Sequence, residues 1–133
     1  MSNTWVVPGP GFRICYDQHP DYLRGYVFDG TDSLDVSLAM WRMLATECET
    51  TGAQRLLVVE DLRSTLDPAG FEMEMVVDSI SKLSLSASRV AFVELREDIE
   101  GAEFGEILCM ERGIKLRVFS LEAEARHWLL YGD

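Results

Sequence analysis

Two short apolar runs, at 56–59 in "RLLVVE" and at 90–93 in "RVAFVEL", constrain this chain more than any other feature. Neither run alternates. A strand with one wet face needs a polar residue at every second position, so an unbroken run marks a strand covered on both faces. Such strands belong to parallel sheets, whose crossover connections lay helices over them. The intervening segments supply the helices. Residues 31–52 place Leu34, Leu38, Trp41, Ala45 and Cys48 at helical spacing, with Asp32 or Ser33 to cap the start and Gly52 the end. Residues 68–85 carry Met73, Val76, Val77, Ile80 and Leu83 as one stripe. Residues 99–113 put Phe104, Ile107 and Leu108 inward and stop at Gly113. Residues 120–133 read as a last helix, capped by Ser120, with Leu121, Ala125, Trp128 and Leu129 toward the core.

Three more segments read as strands. Residues 12–16 and 22–30 flank the turn "DQHPD" and predict an antiparallel hairpin, while 115–119 alternates as an edge strand would. The "PGPG" at 8–11 is a breaker cluster, so 1–11 reads as an N-terminal arm whose Trp5, Val6 and Val7 rest on the body or on a second subunit. The expectation is therefore one α/β domain over 12–133 in the order β-β-α-β-α-β-α-β-α. Its sheet is five-stranded and mostly parallel, with an antiparallel first strand.

Charge narrows the functions. Twelve basic residues against 23 acidic ones leave −11 at neutral pH, with no local basic run to offset it. Nucleic acid and anionic membrane surfaces are repelled by such a field. No apolar run approaches the ~20 residues that span a bilayer. The first residues lack a basic-then-apolar leader, and Cys15, Cys48 and Cys109 are odd in number and widely spaced, so a cytoplasmic chain with reduced thiols is expected.

The segment "TLDPAGF" at 65–71 sits where an α/β protein usually keeps its ligands, between a buried strand and the next helix. Its residues suit a helix start. Asp67 as N-cap accepts from the first-turn amides and complements the helix dipole, and Pro68 at the first helical position sacrifices no hydrogen bond. Gly70 permits close packing.

In order and in this loop the chain resembles the small STAS domains, the anti-sigma-factor antagonists and their relatives. That family carries Asp-Ser-Ser-Gly-Leu at the same place, and here Asp67, Gly70 and Phe71 match it. Residues 112–129, "RGIKLRVFSLEAEARHWL", are similar to the ending of a bacterial STAS-like subgroup of unassigned function. The resemblance implies a regulatory domain switched by phosphorylation of the second serine. That position is Ala69 and the first is Pro68, so the usual phosphoacceptor is absent; Ser64 and Thr65 are the nearby hydroxyls. The subgroup's likeness to the lipid-binding CRAL-TRIO domains implies, as an alternative, a carrier of an apolar small molecule.

Other chemistry is thinly supported. Asp29, Glu60, Asp61, Glu94, Glu97 and Asp98 gather at the carboxyl ends of the strands, where a receiver-like Mg²⁺ site or a carboxylate enzyme would lie. A receiver needs a lysine after its last strand and a hydroxyl after the preceding one; Ser120 and Glu94 stand there instead. His19 and His127 have no Cys or His at zinc-ligand spacing, and nucleophile-elbow, P-loop and dinucleotide motifs are missing. The expected function is a non-enzymatic interaction module without cofactor, metal or catalytic residue. It binds a protein partner, or itself as a homodimer, through Asp61, Ser64, Thr65, Asp67, Gly70, Phe71 and Met75, and its acidic rim favours a basic partner.

Overall fold

The computed structural model of the chain describes residues 3–63, 70–96 and 99–132. Six strands form one sheet, in spatial order β1 (Thr4–Gly9), β2 (Phe12–Gln18), β3 (Leu23–Phe28), β4 (Arg55–Glu60), β5 (Arg89–Glu94) and β6 (Lys115–Phe119). The pairs β1–β2 and β2–β3 are antiparallel, and β3 to β6 run parallel. Helices α1 (Leu34–Thr51), α2 (Gly70–Ser81) and α3 (Ile99–Glu111) each join one parallel strand to the next, and α4 (Glu122–Tyr131) follows β6. Successive right-handed crossovers in one direction put α1, α2 and α3 on one face.

The unbroken apolar runs are used on both sides. Leu56, Val58 and Val90 enter the larger core beneath α1 to α3, with Trp41, Val77 and Leu108. Leu57, Val59, Ala91 and Val93 pack against Ala125, Trp128 and Leu129 of α4. At about 25 cal/mol per Å² of apolar area, each fully buried Val or Leu contributes about 1.5–3 kcal/mol, so this double coverage carries much of the stability. Gly25 in β3 lets α1 approach closely, because a Cβ there would lie 2.8 Å from Leu44 Cδ2. Helix α4 contacts β4, β5 and β6. The same side of β1 to β3 has no helix over it among the described residues, and Val6, Tyr26 and Phe28 remain partly or largely accessible there. At the outer edges, Pro8 within β1 has no N–H to offer, and the N–H of Val118 in β6 donates to Glu106 Oε1 of α3 at 2.8 Å.

Several expectations change. The stretch read as an arm, 1–11, contains β1, so the sheet has six strands rather than five. Its breaker cluster marks a hairpin turn and not a linker: Pro10–Gly11 connects β1 to β2, with Gly11 at φ 85°. On α3, Phe104 and Ile107 point outward, and Gly105, Leu108 and Cys109 are buried. The missing Cβ of Gly105 explains the rotation, since a Cβ there would come within 3.0 Å of Met73 Sδ on α2. The packed side of α3 is thus Gly105 and Cys109 with Leu108 beside them.

The start of α4 also differs. Its N-cap is Leu121, which is exposed and supplies no side-chain bond, in place of Ser120. On α1, Ser33 caps through Val36 N, and Gly52 closes the helix at φ 77°. The deepest residues of α1 are Met40, Leu44 and Ala45, with Leu34 and Leu38 only partly buried. Helix α2 ends at Ser81, and a 3₁₀ turn, Ser84–Ala87, continues toward β5.

Candidate functional site

The carboxyl ends of β3, β4 and β5 hold two distinct environments, because adjacent residues point to opposite faces of the sheet. Glu60, the last residue of β4, turns under the helices and is 5 % exposed. It lines a cavity of about 70 Å³ between the sheet and α1 to α3, with Met40, Trp41, Met73, Phe92 and Glu94. Asp61 turns to the other side. There it accepts from Tyr26 Oη at 2.5 Å and from Arg96 Nε at 2.6 Å.

Asp61 opens onto a cleft of about 430 Å³, bounded by Arg13, Tyr26, Phe28, Asp29, Arg63 and Arg96. The Tyr26 and Phe28 rings stack with centroids 5.2 Å apart, and the Arg13 guanidinium lies 4.8 Å from the Phe28 centroid. Arg13 NH2 also pairs with Asp29 at 2.8 Å. Asp29 is the one non-glycine residue with positive φ among the described residues, at 63°. This conformation is one that Asp tolerates better than most residues. The chain then zips the segment after β4 to the β3–α1 loop: Asp61 N donates to Val27 O, Arg63 N to Gly30 O, and Asp32 N to Arg63 O.

Electrostatics follow from these bonds. The Tyr26 hydroxyl and the Arg96 guanidinium hold the Asp61 carboxyl below the usual range, and the Tyr26 phenol is raised because its proton is shared with that carboxylate. Burial pushes the Cys48 thiol up to about 12 and the Cys109 thiol up to about 11. A general acid needs a raised carboxyl and a thiol nucleophile a lowered thiol; these shifts run the other way. Among the described residues, no group of three His, Cys, Asp or Glu is placed to hold a metal ion. None of the helices searched is long and apolar enough to cross a membrane.

The residues expected at the site fall in different places. Asp61 sits in the arginine–aromatic cleft, and Met75 is exposed on the outer face of α2. Gly70 opens α2 and Phe71 follows it in the first turn. Ser64, Thr65, Asp67, Pro68 and Ala69 lie outside the described residues, as do Glu97 and Asp98. Of the six carboxylates grouped from the sequence, Glu60 and Glu94 line the cavity, whereas Asp29 and Asp61 line the cleft. One acidic rim is thus two settings separated by the sheet. Sequence spacing does not disclose the partners of Asp61: Tyr26 and Arg96 are 35 residues away on either side, and only the parallel register brings them together.

Fold and site together define a class: a single-sheet α/β domain with helices on both faces and two arginine–aspartate pairs at its carboxyl edge. No family model matches the chain, and neither a curated protein nor a solved structure matches it.

Proposed function

We propose that this chain is a non-enzymatic, STAS-like regulatory module that docks a basic protein partner on the outward face of α2 and α3. The observation that carries the reading is a set of large apolar side chains left in water on that face. Met75 stands exposed on α2, and Ile107 and Met110 on α3 are 52 % and 67 % exposed. Glu74 on α2 and Glu100, Glu103 and Glu111 on α3 are also exposed. Apolar anchors within an acidic frame suit a partner with apolar pockets and a basic rim. A second copy of the chain is a poor occupant, since each carries −11. The resemblance to anti-sigma-factor antagonists supports the same regulatory class, with constitutive rather than phosphorylation-switched docking, because Ala69 stands at the family's phosphoacceptor position.

The cavity favours docking over carriage of an apolar molecule. Its 70 Å³ falls well short of the ~150 Å³ that admits benzene. Reconstitution with a purified partner tests the docking surface. Ile107→Asp with Met110→Asp should weaken the complex about a hundredfold, since each removes a buried anchor worth about 1–2 kcal/mol. An unchanged affinity for the double variant, with the fold intact by circular dichroism, rules this face out.

A further inference from the structure

The amino ends of the parallel strands carry a feature that the reading above does not use. Each of β4, β5 and β6 begins with a cation: Arg55, Arg89 and Lys115. Their register is aligned, Arg55 opposite Arg89 and Arg89 opposite Lys115. They share a face with Leu57 and Ala91, so all three Cβ atoms point to the α4 side, away from α1, α2 and α3. Among the described residues no carboxylate forms an ion pair with any of them.

Three like charges side by side on neighbouring strands repel one another. The row nonetheless holds a quarter of the 12 cations of a −11 chain. The middle member is also held in place. The Arg89 guanidinium stacks 4.2 Å from the Trp128 ring, and its Nε is buried without a hydrogen-bond partner. Stacking on an indole fixes the guanidinium plane before any ligand arrives, which lowers the entropy lost on binding.

The row borders an open pocket of about 480 Å³, whose other walls include Gln18, His19 and Tyr22 of the β2–β3 turn, Gln54 and Ser88. Asp21 is the single carboxylate among the pocket's residues. Adjacent strands lie about 4.8 Å apart, so the backbones that carry the outer cations are separated by about 10 Å. One tetrahedral anion bridges two neighbours in such a row, and two joined anions reach all three.

We propose that this pocket binds a small soluble molecule carrying two phosphoryl groups, a diphosphate, across Arg55, Arg89 and Lys115. The arginine forks supply paired N–H donors for phosphate oxygens, and Lys115 supplies a point charge. The amide and hydroxyl side chains of Gln54 and Ser88 add neutral donors at the same wall. The surrounding negative field disfavours an anionic bilayer and leaves a soluble ligand as the occupant.

Calorimetric titration of the full chain with inorganic pyrophosphate tests this, with sulfate at matched ionic strength as the control. Pyrophosphate should bind one-to-one and about tenfold or more tighter than sulfate. The double variant Arg55→Gln, Lys115→Gln should lose about tenfold or more, and Arg55→Lys, Lys115→Arg should keep most of the affinity. Neither pair touches the Arg89–Trp128 stack, and a melting curve checks each fold. Equal binding of pyrophosphate and sulfate, or a Gln double variant that binds like the parent, overturns the proposal. Capture by vesicles containing a bisphosphorylated inositol lipid, without binding of free pyrophosphate, also overturns it in favour of a lipid headgroup.

Discussion

At the carboxyl ends of β3, β4 and β5, Arg13 and Arg96 each meet a carboxylate, Asp29 and Asp61, and Tyr26 adds a hydroxyl to the second pair. At the amino ends of β4, β5 and β6, Arg55, Arg89 and Lys115 stand in a row with no such partner among the described residues. At the carboxyl edge these ion pairs tie neighbouring strands and loops together, and Arg63 stands exposed beside them. The amino edge keeps like charges adjacent, at a cost that an incoming anion offsets. In an α/β sheet the carboxyl edge is the usual place for ligands. The row of like charges lies at the other end.

Substitutions can break this contrast, and the largest effect belongs to Trp128. It is buried at 8 % exposure in the α4-side core and forms the floor under Arg89. Trp128→Ala should destabilise the fold by about 3–5 kcal/mol in urea unfolding. In conditions where that variant remains folded, its pyrophosphate affinity should also fall. Retained affinity would show that the indole does not position Arg89.

Asp61→Asn comes next. It removes a charged acceptor from Tyr26 and Arg96 in a partly exposed setting, and should cost about 1 kcal/mol, or about 4 °C in melting temperature. Pyrophosphate binding at the opposite edge should not change. The pH dependence has a definite sign. The folded-state pKa of Asp61 is depressed, so its contribution is fully present above the ordinary carboxylate range near pH ~4. It is lost as pH falls through the lower folded value. Melting curves of parent and Asp61→Asn should therefore converge in acid. A gap that persists at the acid end would mean that the carboxylate's charge is not what stabilises this edge.

The smallest effect is the most discriminating, because it reverses sign between the edges. Arg96→Gln should lower stability, since it strips Asp61 of its cation. Arg55→Gln should raise it by about 0.3 kcal/mol in the absence of anions by relieving repulsion from Arg89, and salt should erase the gain. Equal losses at both edges, measured by chemical unfolding at low salt, would remove the distinction.

Much of this architecture was legible in the residues. The apolar runs at 56–59 and 90–93 dictated central strands covered on both faces, and helical spacing located all four helices. What escaped had specific causes. Pro8 and the glycines beside it hid β1, because a tight hairpin and a linker draw on the same residue types. Phe104 and Ile107 are large apolar residues of α3, yet the close approach of Met73 to Gly105 turns the helix so that they face outward. The carboxylates at the strand ends looked like one rim, although strict alternation sends Glu60 and Asp61 to opposite faces. The cationic row was visible as "RLLVVE", "RVAFVE" and "KLRVF". Only the register shows that the leading residues are neighbours.

The treatment of the sheet's two outermost strands limits how this protein can assemble. A bare edge invites strand addition, the route to domain swapping and fibrillar growth. Pro8 has no N–H to offer a newcomer on β1, and Glu106 already occupies the Val118 amide on β6. Extension of the ladder is thus obstructed at both ends, so association is directed to side-chain surfaces, whose composition substitutions can alter without disturbing the backbone pairing beneath.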